Sequence, residues 1–217
     1  MKKVLFLTLL LSAVLAGQSQ SDKFKKAMEQ WVPVFDTTYS ADGFLTLSNT
    51  FQRIADAEKN QWLPYYYAAL TQVNAGYMIS GPAGGAADKT DPIADKAEQL
   101  LNKAAELAKD NSEIFCVRKM IATLRMTADP MNRYMTYGPA AEAALTTAKK
   151  LNPDNPRVYL LEGQDKFYTP EQYGGSKTEA KKLFETAISK FDVYKPESNI
   201  HPHWGMAQLK YFMAQMQ

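Results

Sequence analysis

The sequence predicts an all-α fold, a stack of about four helical hairpins closed by a C-terminal helix, and three observations predict it. The first is a recurring stripe. In residues 176–191, Ala180, Phe184 and Ala187 stand at spacing four then three, which places them on one side of a helix. Ala141, Leu145 and Ala148 repeat the spacing, as do Ala97, Leu101 and Ala104. A small-large-small stripe lets two helix backbones approach at the alanines while the large side chain fills the groove between them. The second is a fixed offset to an aromatic in the following helix. Phe115 stands eleven residues after Ala104, and Tyr159 eleven after Ala148. Leu47, Phe51 and Ile54 keep the spacing with larger residues, and Tyr65 follows Ile54 at the same offset. Four-then-three spacing alone is what any amphipathic helix shows; the added offset marks stacked repeats. The third is that no segment shows sustained strand alternation, and most glycines and prolines fall between the periodic segments.

Taken in order, residues 22–35 read as a first helix with Phe24, Met28, Trp31 and Phe35 on one face, and Pro33 predicts a kink near Trp31 or an end at Val32. Asp42-Gly43 reads as a turn before a second helix over 44–58. A third, over 61–80, carries Tyr65, Tyr66 and Tyr67, and tolerates Pro64 in its opening turn. After the glycine-rich stretch 81–90, Asp91-Pro92 supplies a cap and a first-turn proline for a fourth helix to about 109. Ser112 caps a fifth that Asp129-Pro130 ends. A connector containing Tyr134, Tyr137 and Gly138-Pro139 leads to a sixth, running through Lys150. Asn155-Pro156 opens a seventh that stops before Thr169-Pro170, and Ser176 with Glu179 forms a capping box for the eighth. His201-Pro202 precedes a ninth containing Trp204, Leu209, Phe212 and Met213.

Residues 1–16 have two lysines, an apolar run and small residues at Val14 and Ala16, the plan of a removable secretory signal. The apolar run is too short for a membrane anchor, which needs about 20 residues. The expected organisation is therefore a cleaved signal at 1–16, a linker at 17–21, and one helical domain over 22–217 without a stable membrane span. The expected location is periplasmic or secreted. Without Lys2 and Lys3 the 25 basic residues become 23, equal to the 23 acidic ones, which argues against a nucleic-acid partner. Cys116 is the lone cysteine, so no intramolecular disulfide supports the fold.

These stripes resemble the tetratricopeptide repeat family, whose two-helix unit carries small, bulky and small residues in its second helix and then a proline. Ala141, Leu145, Ala148 and Pro153, followed by Tyr159 and Gly163, match that pattern best. The turn inside the unit is lengthened at 81–90, 128–137 and 169–175, and the last resembles divergent periplasmic repeat proteins with a Tyr-Gly-Gly step, here Tyr173, Gly174 and Gly175. The three turns should emerge on one edge of the stack, and loops that are long without need are often functional. The resemblance implies a concave face lined by the first helices, with Tyr66, Cys116, Leu160, Leu70, Met120 and Gln164 at the aligned positions. None is basic, so the family's carboxylate clamp on a partner's C-terminus is not expected.

Catalytic constellations are sparse. His201 and His203 flank Pro202, but no second ligand pair with metal spacing is near them, and they read as a solvated turn. Cys116 reads as a small apolar filler, and no nucleophile sits in a recognisable elbow. Gly84-Gly85 and Gly174-Gly175 lack the lysine and hydroxyl of a phosphate loop. Tyr65, Tyr66 and Tyr67 point about 100° apart, so they should not all be core. Tyr66, Tyr134, Tyr137, Gln164, Tyr168 and Tyr173 are the candidate contact residues for a partner. The expected function is a non-enzymatic exported scaffold binding a protein or peptide, with a small-ligand receptor beside a transporter as the alternative. No metal and no cofactor is expected.

Overall fold

The computed structural model of the protein describes residues 21–81 and 84–216; the expected signal segment lies outside the described residues. Within them the chain forms nine α-helices, one 3-10 turn and no strand. The helices are α1 Asp22–Phe35, α2 Ala41–Ala57, α3 Trp62–Ser80, α4 Ala87–Leu107, α5 Ser112–Ala128, α6 Pro130–Leu151, α7 Pro156–Tyr168, α8 Lys177–Val193 and α9 Met206–Ala214, with the 3-10 turn at Glu171–Tyr173. They pair as α1/α2, α3/α4, α5/α6 and α7/α8, with α9 closing the end. The four stripe segments are the second helices of these pairs, and Ala97, Leu101, Ala104, Ala141, Leu145, Ala148, Ala180, Phe184 and Ala187 are all buried.

Several helices begin where the sequence placed them. Ser21 caps α1 by accepting from the Phe24 amide at 3.0 Å, Asn155 caps α7 through the Arg157 amide, and Ser176 caps α8 through the Glu179 amide. Others start earlier than expected. Ser40 accepts from the Gly43 amide, so Asp42-Gly43 is the first turn of α2 and not a separate turn. Asn111, rather than Ser112, caps α5. Helix α4 begins at Ala87, leaving Pro92 in its interior, and α1 runs to Phe35 through Pro33. Both prolines are exposed, so the carbonyl each leaves without an amide can turn to water.

The largest departure is at 128–137. The expected connector is helical, because α6 starts at Pro130 after the single residue Asp129 and contains Gly138-Pro139. Arg133 explains it. Its guanidinium grips Asp91 of α4 with two bonds of 2.6 and 2.8 Å, and it also donates to the Arg125 carbonyl, so the first turn of α6 is fixed in place. That pairing holds the Asp91 carboxyl below the usual carboxylate range. Within the stretch 81–90 expected as a turn, residues from Ala87 onward are already helix α4, preceded by the left-handed Ala86, while 169–175 is the long turn expected.

The three tyrosines of α3 are all core, against expectation. From Leu63 to Val73, helix α3 is enclosed on every side. Tyr67 stacks on Phe51 of α2, the Tyr77 hydroxyl donates to the Met120 carbonyl of α5, and the segment before α9 covers Tyr66. A helix buried all round has no solvent face for a third ring to occupy.

Candidate functional site

The first helices α3, α5, α7 and α9 lie side by side and run in the same direction. Lateral contacts fix this. Glu113 at the start of α5 meets Arg157 at the start of α7, Lys119 meets Asp165 at 2.5 Å further along, and Phe167 near the end of α7 meets Phe212 of α9. Their C-terminal ends, and the turns into their partners, therefore share one edge. The first two turns touch there, where the Gly85 amide donates to the Thr127 carbonyl at 3.0 Å.

Exposed large apolar side chains concentrate on that edge, at Met78, Met131, Tyr134, Met135, Tyr168, Tyr173 and Tyr211. The opposite edge leaves out Leu107, Leu151 and Val193. A groove beside the α4–α5 turn, lined by Ala105, Ile114, Phe115 and Arg118, holds about 230 Å³. That is smaller than the ~300–1,000 Å³ of small-ligand pockets, so an exposed surface is the stronger candidate.

The candidate contact residues fall into three groups. Tyr168 and Tyr173 belong to the edge, with Gln164 half-buried one helical turn before Tyr168. Tyr168 is part of an aromatic platform built on Phe212. The buried Phe184 ring stacks on Phe212 at 4.9 Å, and Phe167, Tyr168 and Tyr211 meet Phe212 edge-on at 5.3, 5.8 and 5.5 Å. Tyr168 is 66% exposed and Tyr211 59%, so two phenols stand out of a rigid, ring-filled base. The Lys177 ammonium lies 5.8 Å from the Phe167 ring centre, Lys166 pairs with Glu179, and Lys210 is exposed on α9.

Tyr134 and Tyr137 form the second group, on the first turns of α6. The Tyr134 ring lies over Gly138, where an added Cβ would meet it at 3.3 Å, and Met131 and Met135 flank it in full exposure. Tyr137 is half-buried beneath the Arg125 guanidinium, itself paired with Asp95 and Glu98.

Tyr66 stands apart and is a correction. It is 0% exposed, accepts from the Trp204 indole at 2.8 Å and donates to Glu113 at 3.2 Å, so it is no part of a contact surface. Around it lies a buried polar clasp that sequence reasoning missed. Arg157, also 0% exposed, donates to Glu113 at 2.7 Å and to the carbonyls of Trp204 and Pro202 at 3.1 and 2.9 Å. Burial pulls its proton affinity down, but the charge and hydrogen bond of Glu113 outweigh that and raise it. Asn155 donates to the other Glu113 oxygen at 2.8 Å. One signal was available, since a cation in the first turn of a helix opposes the macrodipole and needs an anion beside it.

The histidines are half-buried rather than solvated. His201 bonds Ser198 at 2.8 Å and Glu197 at 3.1 Å; His203 bonds the His201 carbonyl at 3.0 Å and Asp36 at 3.3 Å. Both nitrogens of each ring are occupied, and no group of three His, Cys, Asp or Glu side chains among the described residues is arranged to hold a metal. Cys116 is buried, which pushes its thiol well above the ordinary range, as a filler requires. None of the described helices is long and apolar enough to cross a membrane.

No protein-family model matches the chain, and no curated protein matches it in sequence. Among solved structures, the HusA haemophore from Porphyromonas gingivalis is similar. It is 32% identical, with a TM-score of 0.77 over 93% of this chain and 97% of that one.

Proposed function

Because the chain belongs to the family of the HusA haemophore, we propose that it is an exported, non-enzymatic carrier of haem, held on the turn edge of its helical stack. Export and a binding role, both expected from the sequence, agree with a haemophore. The small-ligand alternative thus displaces the protein or peptide scaffold as the primary reading. We read the hairpins as a divergent form of the tetratricopeptide type, folding as one domain over 22–217 once 1–16 are removed.

The observation that carries the proposal is the Phe212 platform. Haem is a flat apolar macrocycle bearing two carboxylates, and it asks for stacked rings with cations at their rim. Tyr168 and Tyr211 offer the rings, and Lys177 beside the Phe167 ring offers a cation. An open platform suits a carrier, which must give up its cargo. A second surface supports a protein partner, namely a receptor for the loaded carrier. Met131, Tyr134 and Met135 form an exposed apolar patch on α6, and tyrosine and methionine are enriched at interfaces.

Titration of hemin into the mature protein, followed by the Soret band and by quenching of tryptophan emission, tests the reading. Saturable binding is expected, weakened at least tenfold by Tyr168→Ala with Tyr211→Ala and unaffected by Tyr39→Ala at the first turn. Absence of saturable binding, or equal loss in the Tyr39 variant, overturns it.

A further inference from the structure

The groove beside the α4–α5 turn lies at the edge opposite the Phe212 platform, and the haem reading makes no use of it. Ala105, Ala108, Ile114 and Phe115 form an apolar floor, with Lys109, Asp110 and Arg118 at the rim. Arg118 differs from the arginines that cross-link the stack. Arg125, Arg133 and Arg157 each hold a carboxylate, whereas Arg118 pairs with no acid among the described residues. It donates to the Asn102 amide oxygen of α4 at 3.2 Å and lies 5.9 Å from the Phe115 ring centre, so its position is fixed while its charge is unanswered. A guanidinium carries five N–H donors, and most of these stay available.

The next repeat shows how such a groove is closed. Tyr159 occupies the register of Phe115, and its hydroxyl donates to the Pro153 carbonyl at 2.9 Å, bridging ring to turn. Lys149 and Lys190 each cover that ring at 5.0 Å, and each is neutralised, by Glu162 and Asp154. Glu162 stands three residues after Tyr159, the register at which Arg118 follows Phe115. Phe115 has no hydroxyl to reach the corresponding carbonyl, that of Lys109, and the space between ring and turn stays open.

We propose that this groove is a second binding site, for a small monocarboxylate whose apolar body is a single ring or a short branched chain. The carboxylate pairs with the Arg118 guanidinium, whose planar fork matches two oxygens. The body lies on the floor and removes apolar surface from water. A volume of about 230 Å³ suits one ring and not a porphyrin. Lys109 adds attraction at the rim, while Asp110 beside it opposes a second negative charge, which favours a monoanion over a dicarboxylate or a phosphate.

Phenylacetate is the probe, titrated into the isotope-labelled mature protein and followed by backbone amide chemical shifts, with 2-phenylacetamide as its uncharged counterpart. Saturable shifts should gather around the α4–α5 turn, and the amide should bind at least tenfold more weakly, a comparison that needs no variant. Arg118→Gln keeps a donor for Asn102 without the charge, and should weaken phenylacetate at least tenfold. Phe115→Tyr leaves both cations in place and supplies the hydroxyl that closes the equivalent space at Tyr159, so it should abolish the shifts. Thermal melts by circular dichroism verify that both variants fold. Hemin saturation should be the same in Arg118→Gln as in the wild type. Absence of saturable binding, equal affinity for acid and amide, shifts centred elsewhere, or undiminished binding in either variant overturns the proposal and leaves the haem reading untouched. Loss of hemin binding in Arg118→Gln would make the groove part of the haem site, which also overturns a separate second site.

Discussion

Phe184 and Gly163 show how a single residue holds the last hairpin to its cap. The Phe184 ring is fully buried, stacked on Phe212, and its edge rests on Gly163 of α7. A Cβ added at Gly163 would meet two ring atoms at 2.5 and 2.6 Å, a distance at which something must move. The ring cannot yield without disturbing Phe212. Phe184→Ala should therefore cost ~3–5 kcal/mol through cavity formation, and Gly163→Ala ~1–3 kcal/mol through overpacking. Urea denaturation of each variant measures both. A loss under ~0.5 kcal/mol at either position would mean the contact is not tight. Phe184 was readable in advance as the bulky member of a stripe and Gly163 as the glycine of the repeat's first helix, though not their contact with each other. Tyr211 was not, because its place depends on which helix α9 packs against, and no spacing within one helix reports that.

At the scale of elements, helix faces were readable and helix starts less so. A stripe is set by periodicity, which survives any tertiary context that buries it. A start depends on what the first turn touches. Arg133 reaching Asp91 on another hairpin makes a helix of Gly138-Pro139 sequence that reads locally as a connector. The same limit hid the segment 194–205, which works as a strap across the stack; Trp204, expected inside the ninth helix, belongs to this strap because α9 begins only at Met206. Its histidines respond to pH in opposite senses. The Asp36 hydrogen bond raises the His203 pKa, against burial and the Arg157 charge, with help from the His201 carbonyl. Its stabilisation is full below about pH 6.5 and is lost as pH rises through the folded value. Burial lowers the His201 pKa, with Glu197 and Glu113 opposing. Its contribution is present above about pH 6.5 and is lost as pH falls through the folded value. Melting midpoints at pH 5.5 and pH 8 should therefore separate the two. His203→Gln should lower the midpoint at pH 5.5 relative to pH 8, and His201→Gln should raise it. Parallel shifts in both variants would refute the assignment.

Across the whole molecule, the Arg157 clasp ties elements that no hairpin contact joins. Its guanidinium holds Glu113 at the head of α5 and two carbonyls of the strap, and packs against the rings of Tyr194 and Trp204. The strap in turn reaches α1, where Asn199 donates to Glu29 at 3.0 Å and His203 meets Asp36. One side chain therefore couples the third and fourth hairpins to the first through the C-terminal segment. A solenoid whose units touch only their neighbours should unfold piecemeal from its ends, and the strap opposes that. Arg157→Met removes the cation and leaves Glu113 almost enclosed beside Tyr66, so it should cost ~3–5 kcal/mol. Glu113→Gln keeps an oxygen for Tyr66 and an amide for its neighbours without the charge, and combined with Arg157→Met it should recover part of that loss. Hydrogen exchange adds the spatial reading. In Arg157→Met, amides of the strap and of α1 should exchange together and faster, although α1 lies far from position 157 in the chain. Faster exchange confined to α7 and α8 would show that the clasp is local and that the stack is held by neighbour contacts alone.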